Sequence, residues 1–258
     1  MSGTTIPLLV GLGLFGLVGG VGITAIGPGG VLPTIGLFAL TGLSPAQVAG
    51  TAIVTHIATG ALGSAAYTRS GQLRESATRP TAVTLAVTAL VGTPAGVLIN
   101  SMVSKGAFGV ILGLFVAVVA ALVWWRECRE RRGRVAASPT HPPMTVVTVL
   151  GLGVATAAGI VGIGGPMLTV PLLVALGIPV LEALAAAQPQ SVVIASIGTL
   201  GYVAHGTVNW RLAALVGTPE LAGVLLGWKI ARVLPTRRLK GALILTLLAL
   251  ASYLALHS

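Results

Sequence analysis

The sequence predicts an all-α polytopic membrane protein made of two inverted-topology repeats of about five segments each, with broken or half-length helices at glycine-rich breaks. Three observations carry this expectation. Of the 258 residues, 55% are hydrophobic and only 8% are charged, and mean hydropathy is +0.99, so polar residues are too few to clothe a water-soluble surface. A constant shift of 135 residues superposes positions 27–74 on 162–209 without a gap. Lys and Arg gather in alternate connections between apolar runs, as they do when one side of a membrane retains the positive loops.

Taken in order, the first half holds apolar segments at approximately Ile6 to Ile26, Gly29 to Gly42, Pro45 to Tyr67, Thr81 to Met102 and Ala107 to Trp125. The second half holds Met144 to Gly162, Gly164 to Gly177, Glu182 to Val203, Leu212 to Gly227 and Ala242 to Leu256. Most are long enough for a hydrocarbon core of about 30 Å. The segments opening at Gly29 and Gly164 are short, glycine-rich and interrupted by proline, and read as half-length helices. The chain divides into a first membrane repeat (1–128), a basic cytoplasmic linker (129–143) and a second membrane repeat (144–258). Met1 to Pro7 carries no Lys or Arg and no small-x-small pattern follows, so the first run reads as a membrane segment and not as a removable signal.

The repeat matches at unusual residues. Gly27, Gly29 and Gly30 fall on Gly162, Gly164 and Gly165, Thr34 on Thr169, Gly42 on Gly177, Gly63 on Gly198, Tyr67 on Tyr202 and Gly71 on Gly206. With a changed offset, Val91-Gly92-Thr93-Pro94 recurs as Val216-Gly217-Thr218-Pro219. If every segment crosses, Arg69, Arg74, Arg79, the cluster from Arg126 to Arg134 and the group from Lys229 to Lys240 share one side, leaving Lys105 and Arg211 opposite. That side is expected to be cytoplasmic and both termini outside, in the cytoplasmic membrane. Five crossings per half is an odd number, which inverts one half relative to the other. Trp124, Trp125, Trp210 and Trp228 sit at segment ends, where indole suits the headgroup boundary.

The glycine breaks are the first candidate for chemistry. Glycine permits backbone turns that other side chains forbid. A half-helix starting inside the membrane also presents unpaired N–H groups and a positive dipole end to an anion. Close helix packing through small residues is the other reading. Polar residues within the spans are the second candidate, because lipid tolerates them only when they face a cavity or a partner helix. Thr51, Thr55 and His56 lie in the third segment, and Gln188, Gln190 and Ser191 at the matching place in the eighth, with Pro189 between the glutamines. The expected substrate-binding set is Gly27, Gly29, Gly30, Thr51, Thr55, His56, Gly164, Gly165, Gln188, Gln190 and Ser191, meeting near the midplane. His56 taken alone fits equally well as a structural residue bonded to a neighbouring helix. Glu220 follows Gly217-Thr218-Pro219 within a span, where it either takes up a proton or bonds to a neighbouring helix.

The residues Gly162-Ile163-Gly164-Gly165-Pro166-Met167-Leu168-Thr169-Val170-Pro171-Leu172-Leu173, then Tyr202-Val203-Ala204-His205-Gly206-Thr207-Val208-Asn209-Trp210, then Gly223-Val224-Leu225-Leu226-Gly227 before a basic loop, resemble the sulfite exporter TauE/SafE family of membrane transporters. The resemblance covers nearly the whole chain. It implies transport of sulfur-containing anions such as sulfite or small organosulfonates, commonly outward, with no nucleotide cofactor. Pro28 breaks the family's usual glycine triplet in the first copy, and Asn209 stands where an acidic residue is often found.

Other classes fit less well. The basic residues form no continuous face for nucleic acid, despite a net charge of +10. Gly42-Leu43-Ser44 is followed by Pro45, which reads as a helix cap and first turn, not a protease serine. One Cys and four His suggest no metal cluster, and no phosphate-binding G-x-x-x-x-G-K-[ST] run is present. The expected partners are a small anion and the lipid bilayer, with no cofactor. A homodimer is admissible, though no interface motif marks one. A passive anion channel, or an uptake carrier for another small anion, is the alternative.

Overall fold

The computed structural model describes residues 6–104 and 142–235, with scattered positions between 107 and 128 and at 238, 241 and 245. Eight helices are described: α1 (Ile6–Ala25), α2 (Val31–Leu40), α3 (Pro45–Arg69), α4 (Thr78–Asn100), α5 (Met144–Val161), α6 (Pro166–Leu176), α7 (Val180–Ala204) and α8 (Trp210–Val233). Single 3-10 turns lie at Pro28–Gly30 and Gln72–Arg74. The expected fifth segment is helical at the positions described, whereas the tenth, Leu245 apart, and the linker, Pro142 and Pro143 apart, lie outside the described residues.

Helices α1, α3, α4, α5, α7 and α8 are long and apolar enough to cross a membrane. Helices α2 and α6 have 10 and 11 residues, and at 1.5 Å per residue reach about 15–17 Å, half of the hydrocarbon thickness. Local chemistry sets the ends. Ser44 accepts from Gln47 N while the Gln47 side chain accepts from Ser44 N, so α3 opens on a reciprocal cap with Pro45 in its first turn. Asn209 caps α8 by accepting from Leu212 N. Gly162 and Gly177 close α5 and α6 in the left-handed conformation at φ 74° and 109°.

Contacts at the glycines reveal how the helices run. Gly22 meets Gly29, Gly19 meets Pro33, Gly36 meets Phe15 and Gly11 meets Leu40, so α2 folds straight back along α1. Gly16 lies on Val216, Gly20 on Glu220, and Thr24 donates to Val224 O at 2.7 Å, so α1 and α8 run parallel. The same ascending order joins α4 to α5, with Gly92 on Leu152 and Ala155, Gly96 on Thr156, and Asn100 donating to Ile160 O at 2.6 Å. Helices α3 and α7 run the opposite way, because Gly50 meets Tyr202, Ile53 meets Gly198, Gly60 meets Val192 and Gly63 meets Gln188.

The 135-residue shift carries α3 onto α7 end to end. It also relates two hydrogen bonds: Tyr67 Oη donates to Thr24 O at 2.6 Å, and Tyr202 Oη donates to Gly159 O at 2.7 Å. The bundle is therefore cross-packed. The first helix of each half lies against the fourth helix of the other, α1 on α8 and α5 on α4, while α3 and α7 meet in the middle. Glycine at these crossings lets backbones approach closely, as packing in lipid favours.

Because α2 returns to the end from which α1 sets out, the pair brings the chain back to its starting side, as two crossings would. The Trp228 indole donates to Ser70 Oγ at 3.4 Å, which places the ends of α3 and α8, and so Arg69, Arg74, Lys229 and Arg232, together. Arg211, at the start of α8, lies at the other end. One boundary departs from the apolar-run reading, which ends the ninth segment at Gly227: α8 continues to Val233. Long basic side chains extend outward while their helix continues, and the Arg232 guanidinium stacks 5.0 Å from the Trp228 ring centroid.

Candidate functional site

The second glycine break is where the structure brings polar groups together. After α5 closes at Gly162, Gly162 N and Ile163 N both donate to Ala158 O, and the chain passes through Gly164 and Gly165 into α6. A side chain on Gly162 would collide with the Ala49 backbone of α3, so the break is held against the opposite half. The N-terminal turn of α6 thus starts deep inside the bundle, with its positive end fixed there.

Around it stand side chains from three helices. A β-carbon at Gly164 would lie 2.7 Å from Ser191 Oγ and 3.3 Å from His56 Cγ, and one at Gly165 would lie 3.0 Å from Gln190 Oε1. Gly30, from the first break, approaches His56 Cε1 at 3.4 Å by the same measure. His56 and Ser191 are equivalent under the repeat, so the two halves contribute matching positions to one point. His56 Nδ1 lies 3.3 Å from Glu220 Oε1, with both side chains fully buried. That is charge-pairing distance, but the angle is not that of a hydrogen bond.

Thr169 Oγ1 donates to Gln190 Oε1 at 2.5 Å, fixing the amide so that its Nε2 is the free end. This Nε2, His56 Nε2 and both Glu220 oxygens have no hydrogen-bond partner, although the residues are fully buried. Unpartnered donors in a region of low dielectric are costly and uncommon. Beside the α6 terminus they make a polar cradle in which the two nitrogens are unused donors and the Glu220 oxygens acceptors.

The remaining candidates are placed differently. Thr51 Oγ1 accepts from Asn209 N at 3.0 Å and so ties α3 to the loop before α8. Thr55 donates to Ala52 O on its own helix at 2.9 Å and packs on Gly217. Gln188 is buried toward Gly63, with neither amide atom partnered. Gly27, at φ 105°, packs on Pro166 O and Val170. Gly29 faces Gly19 and Gly22, where any side chain would strike backbone; its place is in the packing of the α1–α2 hairpin. Sequence reasoning did not single out Thr169 as a site residue. Its match to Thr34 was the available signal, and Thr34 itself donates across the halves to Gly162 O at 3.3 Å.

A separate groove of about 710 Å³ lies between the end of α3, the Gln72–Arg74 turn, α4 and α7, lined by Leu73, Arg74, Arg79, Val83, Val87 and Pro189 among others. Its wall is apolar, with two arginines at one end.

The family model for sulfite exporter TauE/SafE matches residues 12–254, nearly the whole chain. The chain belongs to the sulfite exporter TauE/SafE family. Among curated proteins, it is 26% identical over 165 residues to the "Probable membrane transporter protein y4hK" of Sinorhizobium fredii, covering 64% of each chain. It is 33% identical over 93 residues to the "Probable membrane transporter protein ORF9" of a Sinorhizobium species, covering 36% of each. It is 25% identical over 291 aligned positions to the "Probable membrane transporter protein MamO" of Magnetospirillum gryphiswaldense, covering 97% of this chain and 45% of that one. The chain thus spans less than two thirds of the length of each of these relatives. No solved structure matches it significantly.

Proposed function

We propose that this chain is a secondary transporter that carries small sulfur-containing anions, sulfite or an organosulfonate, across the cytoplasmic membrane by alternating access and mainly outward. The anion sits at Gly164 and Gly165, held by the Gly164, Gly165 and Met167 amides, Gln190 Nε2, Ser191 Oγ and the His56 ring. The observation that carries this reading is the convergence of a half-helix N-terminus with unpartnered buried donors from both halves. Family membership supports the transport class and a non-enzymatic role. The full burial of His56, Gln190 and Glu220 favours a carrier with an occluded site over an open channel.

The antiparallel course of the equivalent helices α3 and α7 supports halves of inverted orientation, rocking about the site. The shared position of Arg69, Arg74, Lys229 and Arg232 supports a cytoplasmic assignment for that end. Uptake in proteoliposomes decides the matter, with sulfite, thiosulfate, sulfoacetate and methanesulfonate tested beside carboxylate controls. Saturable counterflow of at least one sulfur anion, with carboxylates at least tenfold weaker, is expected. Non-saturable flux, or equal flux of carboxylates, would overturn the assignment.

A further inference from the structure

His56 and Glu220 form an isolated ionisable pair in the heart of the bundle. Their surroundings can be read element by element. Helices α1, α2, α5 and α6 carry no titratable side chain. Helix α3 adds Tyr67, whose hydroxyl donates to Thr24 O, and Arg69 in its last turn. Helix α7 adds Glu182 in its first turn, where Thr78 donates to it, and Tyr202, whose hydroxyl donates to Gly159 O. Helix α4 contributes Arg79 near its start, and α8 has Arg211, Lys229 and Arg232 toward its two ends. Among the described residues, no other charged group reaches the pair.

One proton makes such a pair neutral, as imidazolium with carboxylate or imidazole with carboxylic acid, whereas complete deprotonation leaves a bare buried carboxylate. A second proton gives imidazolium beside carboxylic acid, a net charge of +1. In this fully buried setting that state is unfavourable unless an anion stands alongside. The cradle at Gly164 adjoins the His56 ring, so an anion there lies within the distance at which opposite charge favours protonation. An anion and a second proton bound there would favour each other, which is the coupling that cotransport requires.

We propose that the His56–Glu220 pair takes up one proton with each monovalent anion bound at Gly164–Gly165, making the step an electroneutral proton–anion symport. The inference rests on the transporter reading. The cycle balances. The loaded site holds two protons and one negative charge from the substrate, and release of proton and anion to the same side returns the pair to one proton and no net charge. One unit of pH difference then sustains about a tenfold anion gradient, with the anion drawn toward the alkaline side. Outward flux from an alkaline interior accordingly runs only when the anion's own gradient exceeds that ratio.

The test uses proteoliposomes and radiolabelled methanesulfonate, a monovalent sulfonate that does not titrate near neutral pH. Counterflow between equal-pH compartments is measured first. An external pH one unit below the internal value should then give accumulation approaching tenfold, unchanged by a potassium potential set with valinomycin. His56→Gln should show no pH-driven accumulation, because no imidazole remains to take up a proton beside the anion, whereas in Glu220→Gln the imidazole alone still takes up one proton per anion and pH-driven accumulation should survive. A vesicle-trapped pH dye reads the stoichiometry on the unaltered protein, where one proton per anion is expected, so the proposal remains testable even if a variant does not fold. Accumulation that follows the potassium potential, a proton count near zero, or pH-driven accumulation surviving in His56→Gln would each overturn the symport while leaving the transporter reading standing. Absence of counterflow for every anion in the panel would bring down both.

Discussion

The two glycine breaks occupy matching places in the repeat, yet they are built differently. In the first, Pro28–Gly30 forms a hydrogen-bonded 3-10 turn that runs directly into α2, with Val31 N donating to Gly29 O and Pro28 O. Its middle glycine is pressed against α1 backbone. In the second, Ile163 to Gly165 follows no helical pattern, and its glycines face Ser191, His56 and Gln190. One copy has become a hinge pin for a hairpin and the other the floor of a polar cradle. The helices beside them diverge likewise: Thr55 spends its hydroxyl on its own helix, while its equivalent Gln190 keeps a free amide end. The two copies share a scaffold and differ in the polar groups they place on it.

The largest expected effect separates the breaks. Gly29→Val should abolish folded protein, at a cost of about 3 kcal/mol or more from backbone overlap, read as loss of a monodisperse peak in detergent. Gly164→Ala should fold, because a Ser191 hydroxyl can rotate away, yet weaken anion binding about tenfold. The opposite outcome would exchange the two roles. Next, Gln190→Leu should weaken anion binding about tenfold or more, the loss of one hydrogen bond to a charged group, whereas Thr55→Ala stays within about threefold. Equal losses would mean that the two helices share the site evenly.

A smaller effect probes what remains symmetric. Tyr67→Phe and Tyr202→Phe each remove one bond to a helix-end carbonyl and should lower stability by about 1 kcal/mol apiece. Thermal melts differing by more than about 1 kcal/mol would show that the shared bond is no longer equivalent. The smallest effect is expected at Gly42, whose copy Gly177 is held differently. Gly42 has open space around it, so Gly42→Ala should change stability by no more than about 0.5 kcal/mol. Gly177 sits at φ 109°, and Gly177→Ala should cost about 1–2 kcal/mol.

Much of this was legible in the sequence because it is local or periodic. Apolar runs mark the spans, Ser44-Pro45 marks the start of α3, and the short runs after Gly27 and Gly162 emerge as half-length helices. The tyrosine match at 67 and 202 anticipates a shared structural bond. What escaped depends on facing and depth. Composition cannot tell that Gly29 points at backbone while Gly164 points at side chains, since both are glycines before a half-helix. Nor does spacing bring Glu220 to His56, because their meeting depends on how α8 lies against α3. The end of α8 escaped because Lys229 and Arg232 interrupt an apolar run without interrupting a helix.

The cross-packing of α1 on α8 sets an order of events during synthesis. The bond from Thr24 to Val224 joins residues 200 positions apart. At about 5–20 residues per second, a ribosome needs roughly 10–40 s to make the partner that α1 requires. Through that interval the face of α1 that carries Gly16 and Gly20 lacks its partner, so the newborn chain is most open to quality-control proteases before α8 arrives.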